Sequence, residues 1–499
     1  MKRLRGIWLL PAIVALLVAT ASGSAQAKII GLGENQTGSA KSFAFTAKAG
    51  HINTPDGSSL LFWGFADTSS GKVQFPGPTL IVKQGDTVTI NLTNQLAEPV
   101  SMLFPGMTMT SSVKPVIPAG DRSQLTSLAP EAAPGGTQSY TFVADRPGTF
   151  YYQSGSNLPV QLRMGLYGAI IVRPSQDGST RNVDISSHNL NDPLNPGVAA
   201  TRWPFTRFVY NDSLADPVAE NVSTGYDREY LFLVSEMDPK FNSWMEFEKD
   251  KVARPFDFSK WKANYWFING RCAPDTMSPV NAAYLPSQPY NSAPLMHPGE
   301  TVLLRFVNMG SDPHPFHTHG NHMRVVGEDG NPLSSSAAAG ADLSWQAFTL
   351  TLQPGKSYDA TFTWSGEKLG WDIYGHADAL EPYEYIPDHG KIYTPNRPAV
   401  AGVAQAPAPP QALPVLLPTI EEGIFGMWYS GSPYMGSAGP LPPGEGGMNP
   451  FSGFFYMWHS HAERELTNYN IWPGGLLTMM GIVPWSATIS SDDTYNQGM

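Results

Sequence analysis

One segment of this chain occurs twice, and that repeat constrains the fold more tightly than any single motif. Gly85-Asp86-Thr87-Val88-Thr89-Ile90-Asn91-Leu92-Thr93-Asn94 matches Gly299-Glu300-Thr301-Val302-Leu303-Leu304-Arg305-Phe306-Val307-Asn308. Each copy is a turn followed by a β-branched and apolar run, the signature of a strand. Extending the register aligns Gly106 with Gly320, Leu103 with His317 and Pro105 with His319. A second match sets Tyr152-Gln153-Ser154-Gly155 against Trp458-His459-Ser460-His461, so Gln153 aligns with His459 and Gly155 with His461. A duplicated unit of short strands, joined by Pro-Gly, Asp-Gly and Asn-Gly steps, predicts an all-β protein of two Greek-key β-sandwich domains. The 48 Gly and 45 Pro among 499 residues suit such a turn-rich chain.

The expected organisation follows from composition. Residues 1–27 read as a secretory signal: Lys2, Arg3 and Arg5 precede an apolar run, and Ala25-Gln26-Ala27 is a small-x-small cleavage site. The first domain is expected over 28–175, a linker with turn chemistry over 176–224, and the second domain over 225–499. A Pro/Gly/Met-rich insert at about 380–450 interrupts the second domain, and Ala406-Pro407-Ala408-Pro409-Pro410 favours extended chain there. Export predicts a periplasmic or extracellular protein. Losing Lys2, Arg3 and Arg5 takes the formal net charge from −11 to −14. That balance argues against nucleic acid and anionic membranes as partners, and no later run is apolar enough to span a bilayer. Cys272 is the single cysteine, so no internal disulfide forms, and it reads as a small buried hydrophobe.

The chemistry lies in five histidines. His314, His317 and His319 occur within Asp312-Pro313-His314-Pro315-Phe316-His317-Thr318-His319-Gly320, and His459 and His461 within Met457-Trp458-His459-Ser460-His461. Residues two apart on a strand point the same way, so each His-x-His pair can aim both rings at one place. Imidazole is the commonest protein ligand for copper and zinc.

These two motifs resemble those of the multicopper oxidase family, whose last cupredoxin domain carries His-Pro-x-His-x-His-Gly and then His-Cys-His. Phe75-Pro76-Gly77-Pro78-Thr79-Leu80 and Pro147-Gly148-Thr149-Phe150-Tyr151-Tyr152 are similar to landmarks of its first domain. The resemblance implies two cupredoxin-like domains and copper as the cofactor. It implies that His314 is a ligand of the electron-accepting type 1 copper. It implies that His317, His319, His459 and His461 are the second domain's share of a trinuclear site. The chain departs from the pattern at three points. Ser460 stands in the Cys slot, Glu465 stands where a second type 1 His is expected, and the first domain offers Leu103, Pro105, Gln153 and Gly155 instead of four His. A serine hydroxyl cannot replace the soft thiolate of a blue copper site. The expectation is a degenerate member with a non-blue mono- or dinuclear copper site on four His.

Three functions remain open at this stage. One is an exported copper-dependent oxidoreductase acting on a small molecule or metal ion with dioxygen. Another is a copper-binding or storage protein without turnover. The third is a metal-free scaffold acting through protein contacts, and a homo-oligomer is open under each. His322 and His376 read as surface or supporting residues. Met102, Met107 and Met109 read as core packing, whereas Met427, Met435 and Met448 in the insert are open to weak copper uptake. The triplet Glu463-Arg464-Glu465 reads first as a solvated charged turn, with support of the His ligands as the alternative.

Overall fold

The computed structural model describes residues 29–111, 114–117, 125–177, 207–211, 223–251, 254–296, 300–364 and 454–482, and the backbone of short strands at 383–386, 390–393, 439–440 and 448–449. The expected signal segment, most of the linker, most of the insert and His376 lie outside these residues.

The architecture is all-β, with two α-helices among the described residues. In the first half, a six-stranded sheet runs in the order Val73–Gln74, Ser59–Asp67, Ala40–Asn53, Thr87–Asn94, Thr137–Val143, Thr108–Met109. It faces a three-stranded sheet of Leu80–Lys83, Tyr167–Arg173 and Gly148–Gln153. In the second half, Tyr265–Ile268, Arg228–Met237, Thr301–Asn308, Ser357–Thr363 and Met323–Glu328 lie side by side. They face a sheet ordered Leu295–Met296, Leu477–Ile482, Phe454–Ser460, His314–Thr318, Thr349–Leu352. Each sandwich encloses its own apolar core, around Phe45, Ile90 and Tyr140 in the first and Phe232, Phe306 and Trp458 in the second.

The sequence repeat is a structural repeat. Thr87–Asn94 pairs parallel with Ala40–Asn53 and antiparallel with Thr137–Val143. Thr301–Asn308 pairs parallel with Arg228–Met237 and antiparallel with Ser357–Thr363. Both copies end at the same asparagine corner. Asn94 Nδ2 donates to the Ala132 carbonyl at 2.9 Å and its Oδ1 accepts from Leu96 N at 2.9 Å. Asn308 Nδ2 donates to the Leu352 carbonyl at 2.8 Å and its Oδ1 accepts from Gly310 N at 2.8 Å.

The copies differ where the domains meet. Thr87–Asn94 alternates in burial, with Val88, Ile90 and Leu92 inward and the residues between them outward. Thr301–Asn308 is buried throughout. Its Val302, Leu304 and Phe306 fill the second core, while Val307 joins an interdomain layer with Phe75, Ile171, Leu233 and Phe267. A strand buried on both faces loses the polar alternation. On the interdomain face Arg305 bonds Glu229 Oε2 at 2.9 Å, Asp359 Oδ1 at 3.2 Å and Thr149 Oγ1 at 3.0 Å. Tyr210 donates to Asp359 Oδ2 at 2.7 Å. Burial opposes the Glu229 charge, but Arg173 and Arg305 outweigh it and hold the carboxyl below its usual range. The helix Pro239–Phe247 starts at Asp238, whose carboxylate accepts from Lys240 N at 2.9 Å, and it drives Phe241 and Met245 into the first-domain core. Cys272 is buried, as read from the sequence, and burial pushes its thiol well up.

Candidate metal centre

The strand His314–Thr318 lies between Thr349–Leu352 and Phe454–Ser460 in the five-stranded sheet. Its register sets Phe316 opposite Ser460, His317 opposite His459 and Thr318 opposite Trp458. Phe316 and Trp458 belong to the core. Strand alternation then sends His317 and His459 to the other face. The core anchors therefore fix which face carries the imidazoles, and a one-residue slip would turn them into the apolar core of the sandwich.

Four of the five sequence-predicted histidines come together on that face. The His317 ring centroid lies 4.6 Å from that of His319, 5.6 Å from His459 and 5.0 Å from His461. His319 and His459 rings are 5.1 Å apart, and His459 and His461 rings 5.9 Å. His317, His319 and His459 are buried, and His461 is exposed at the rim. His319 Nε2 and His459 Nε2 stand 3.0 Å apart. Two imidazole nitrogens about 2.0 Å from one ion stand roughly 3.3 Å apart at a tetrahedral angle, so this pair is close to a two-ligand bite. Among the described residues, no three His, Cys, Asp or Glu side chains converge on one ready-made ion position. The cluster is an arrangement of adjacent pairs, and ring rotation has to complete it around an ion.

Hydrogen bonds set the rings for ligation. His459 Nδ1 faces its neighbour's carbonyl, Ser460 O, at 2.7 Å. That carbonyl can only accept, so Nδ1 carries the hydrogen and Nε2 carries the lone pair. His319 Nε2 then donates to it, so this hydrogen has to move to His319 Nδ1 before both Nε2 atoms can ligate one ion. His317 Nδ1 lies 2.8 Å from Thr349 Oγ1, which orients the ring and leaves Nε2 for ligation. The His319 loop is held by Trp458 Nε1, which donates to the His319 carbonyl at 3.0 Å. Burial, then the charges of His459 and His461, lowers the His317 pKa to about 4, and burial also lowers that of His459. Both rings are therefore neutral at pH 7, the form a metal requires. The donor set fits copper, for which imidazole is a suitable ligand.

His314 is not brought to this group. It faces inward, fully buried, with Nε2 3.0 Å from Glu236 Oε2 and Nδ1 3.0 Å from Glu465 Oε2. Glu465 Oε2 also accepts from Ser460 Oγ at 2.6 Å. Burial alone would lower the His314 pKa, but the two carboxylate hydrogen bonds outweigh it and raise the value to about 9. The three positions aligned with type 1 copper residues thus do converge, as a His–Glu–Ser ion network. Both nitrogens of an imidazolium so bonded carry hydrogens, and neither offers a lone pair. The expectation that Glu465 belongs to a solvated charged turn is corrected: it is buried, because its carboxylate answers His314 and Ser460. Glu236 went unnoticed in the sequence. Its one signal is an acid near the end of the mostly apolar run Tyr230–Met237.

The first-domain counterpart keeps the backbone and none of the ligands. Leu103 and Gln153 form a bridge, with Leu103 N donating to Gln153 O at 2.7 Å and Gln153 N to Leu103 O at 3.1 Å. This is the place that His317 and His459 hold in the second domain. Next to it, Ser101, Ser127 and Ser156 hydrogen-bond one another, and Ser156 Oγ donates to Glu131 at 2.6 Å. Met102 is buried and Met107 and Met109 pack on the first core, as expected. His322 stacks on the exposed ring of Phe348, with centroids 3.5 Å apart.

A multicopper oxidase family model matches residues 69–177, and a second multicopper oxidase model matches residues 251–359. The L-ascorbate oxidase of Cucurbita pepo var. melopepo is 38% identical over 104 residues, 21% of this chain and 17% of that protein. Laccase 1 of Metarhizium acridum is 36% identical over 104 residues, 21% of this chain and 16% of the relative. These matches span less than a fifth of either relative's length. Among solved structures, the blue copper oxidase from Nitrosomonas europaea is 17% identical, covers 88% of this chain and 85% of that chain, and has a TM-score of 0.48.

Proposed function

We propose that this chain, which belongs to the multicopper oxidase family, is an exported copper protein with a non-blue site of one or two ions on His317, His319, His459 and His461, acting as an oxidoreductase on a small molecule or metal ion. Members of this family bind copper. The observation that carries the reading is the His314 ring, clamped at both nitrogens by Glu236 and Glu465 at 3.0 Å. That position holds a buried cation in place of an electron-accepting metal, and Ser460 beside it supplies no thiolate.

Bound copper with open positions supplies Lewis acidity and one-electron redox chemistry. The chain supplies the rest. The Ser460 carbonyl fixes the tautomer and orientation of His459, and Thr349 Oγ1 orients His317. Trp458 and Phe316 wall the site from the core side. His461 stands exposed at the rim, and we place substrate entry on this solvent side of the cluster.

The test is copper content per chain after export and loading, with oxygen uptake measured on phenolic and metal-ion donors. One or two coppers with donor-dependent uptake support the reading. Copper without uptake would favour storage, and a metal-free chain would favour a scaffold. The second of these is the alternative supported by an observation: the rings stand as pairs and not as a finished single-ion geometry.

A further inference from the structure

Beyond the four imidazoles, the same sheet face carries two methionines that no motif singled out. In the strand Phe454–Ser460, Tyr456 and Trp458 point into the core. Met457 therefore shares the opposite face with His459. The pairing with Leu477–Ile482 is regular and sets Met457 directly opposite Met479 and His459 opposite Leu477. Met480, the neighbour of Met479, is in the core, which confirms the alternation on that strand too. The row beside His317–His459 thus contains a methionine pair.

Both side chains are half-buried, whereas the packing methionines Met102, Met296 and Met480 are fully buried. Directly opposed residues have Cβ atoms about 4.5–5.5 Å apart, a gap that two flexible thioethers can bridge around a single ion. Thioether sulfur is a soft, neutral ligand that suits Cu(I) and is a poor match for Cu(II). One row separates the pair from the imidazoles, about 6.6 Å along the strand.

We propose that Met457 and Met479 form a Cu(I)-accepting site that delivers the cuprous ion to the adjacent His cluster. Its role in delivery rests on the copper reading of that cluster, and its binding chemistry does not. A dithioether bound to Cu(I) exchanges the ion for imidazole ligands with no change of oxidation state, so delivery needs no further reactant.

The test uses the full chain, metal-free, titrated anaerobically with Cu(I) against a chromophoric competitor and separately with Ag(I), a redox-inert stand-in. X-ray absorption of the first Cu(I) equivalent should show sulfur scattering. In the Met457→Leu, Met479→Leu variant the sulfur signal should vanish, and Cu(I) affinity should fall at least ten-fold more than Cu(II) affinity. Methyl-labelled methionine spectra of the unaltered chain should show two methyl resonances moving with Ag(I), assigned by the single Leu variants. Nitrogen-only scattering, or unmoved Met457 and Met479 methyls, would overturn the proposal and leave the pair as packing. Sulfur-bound Cu(I) in a chain that takes no Cu(II) would support the methionine site while refuting the His-cluster reading.

Discussion

Replacing His314 by Phe tests the claim that the would-be type 1 position has become an ion network. The ring separates two buried carboxylates, each 3.0 Å from one of its nitrogens. Its pKa is raised from 6.5 to about 9. At 1.36 kcal/mol per unit, that shift corresponds to about 3 kcal/mol of folding stability. Because the folded-state pKa is raised, the contribution is complete below pH 6.5 and is lost as pH rises through about 9. Phe fills the space but leaves Glu236 and Glu465 facing each other without a cation. Removing one partner of a buried ion pair typically costs about 3–5 kcal/mol. Melting of chelator-treated protein, followed by calorimetry from pH 6 to pH 10, should therefore show a large loss at pH 6 that shrinks toward pH 10. Comparing variant with unaltered chain cancels the titration of every group outside this network. A variant within about 1 kcal/mol of the parent at pH 6, or a difference that does not narrow with pH, would refute the assignment of His314 as a buried cation.

Three further outcomes are expected. Copper-loaded protein should show no intense blue band, since that colour needs thiolate ligation, Ser460 stands in the Cys slot and Cys272 is buried in the apolar layer with Phe75, Leu233 and Phe267; a strong band lost in Cys272→Ala would contradict this. Alanine at His317, His319, His459 or His461 should each weaken copper binding by roughly ten-fold or more in competition titrations, the scale seen even for losing supporting groups, and retention of full affinity by the His459→Ala, His461→Ala double variant would sink the site. Arg305→Met should cost about 3–5 kcal/mol in melting experiments, because it removes the cation beside buried Asp359 and leaves Glu229 to Arg173 and Arg207.

The relation of sequence to structure differs from element to element. The repeat at Gly85 and Gly299 was legible because strand burial and turn chemistry are local, and both copies close on the same asparagine corner. That each His-x-His pair aims both rings one way was legible for the same reason, period-two alternation, whereas the register that sets His317 opposite His459 is seen only in the structure. The substitution of Ser460 for the expected cysteine was also visible in the chain alone.

The fate of the emptied position was not visible. Glu465 read as a solvated turn charge and Glu236 as nothing in particular, because a carboxylate's environment is set by what packs across from it. Glu236 comes from the strand Arg228–Met237, and Glu465 from a turn after the last His pair. Only the closed sandwich places His314 between them, removes water, and raises the ring's pKa to about 9. Met457 and Met479 were hidden for a related reason: their adjacency exists only in the cross-strand register. The sequence by itself determined which residue types sit on which face of each strand, since that depends on spacing. Tertiary structure decided which charges and sulfurs meet, since Coulomb interaction and ligation depend on distance between segments far apart in the chain.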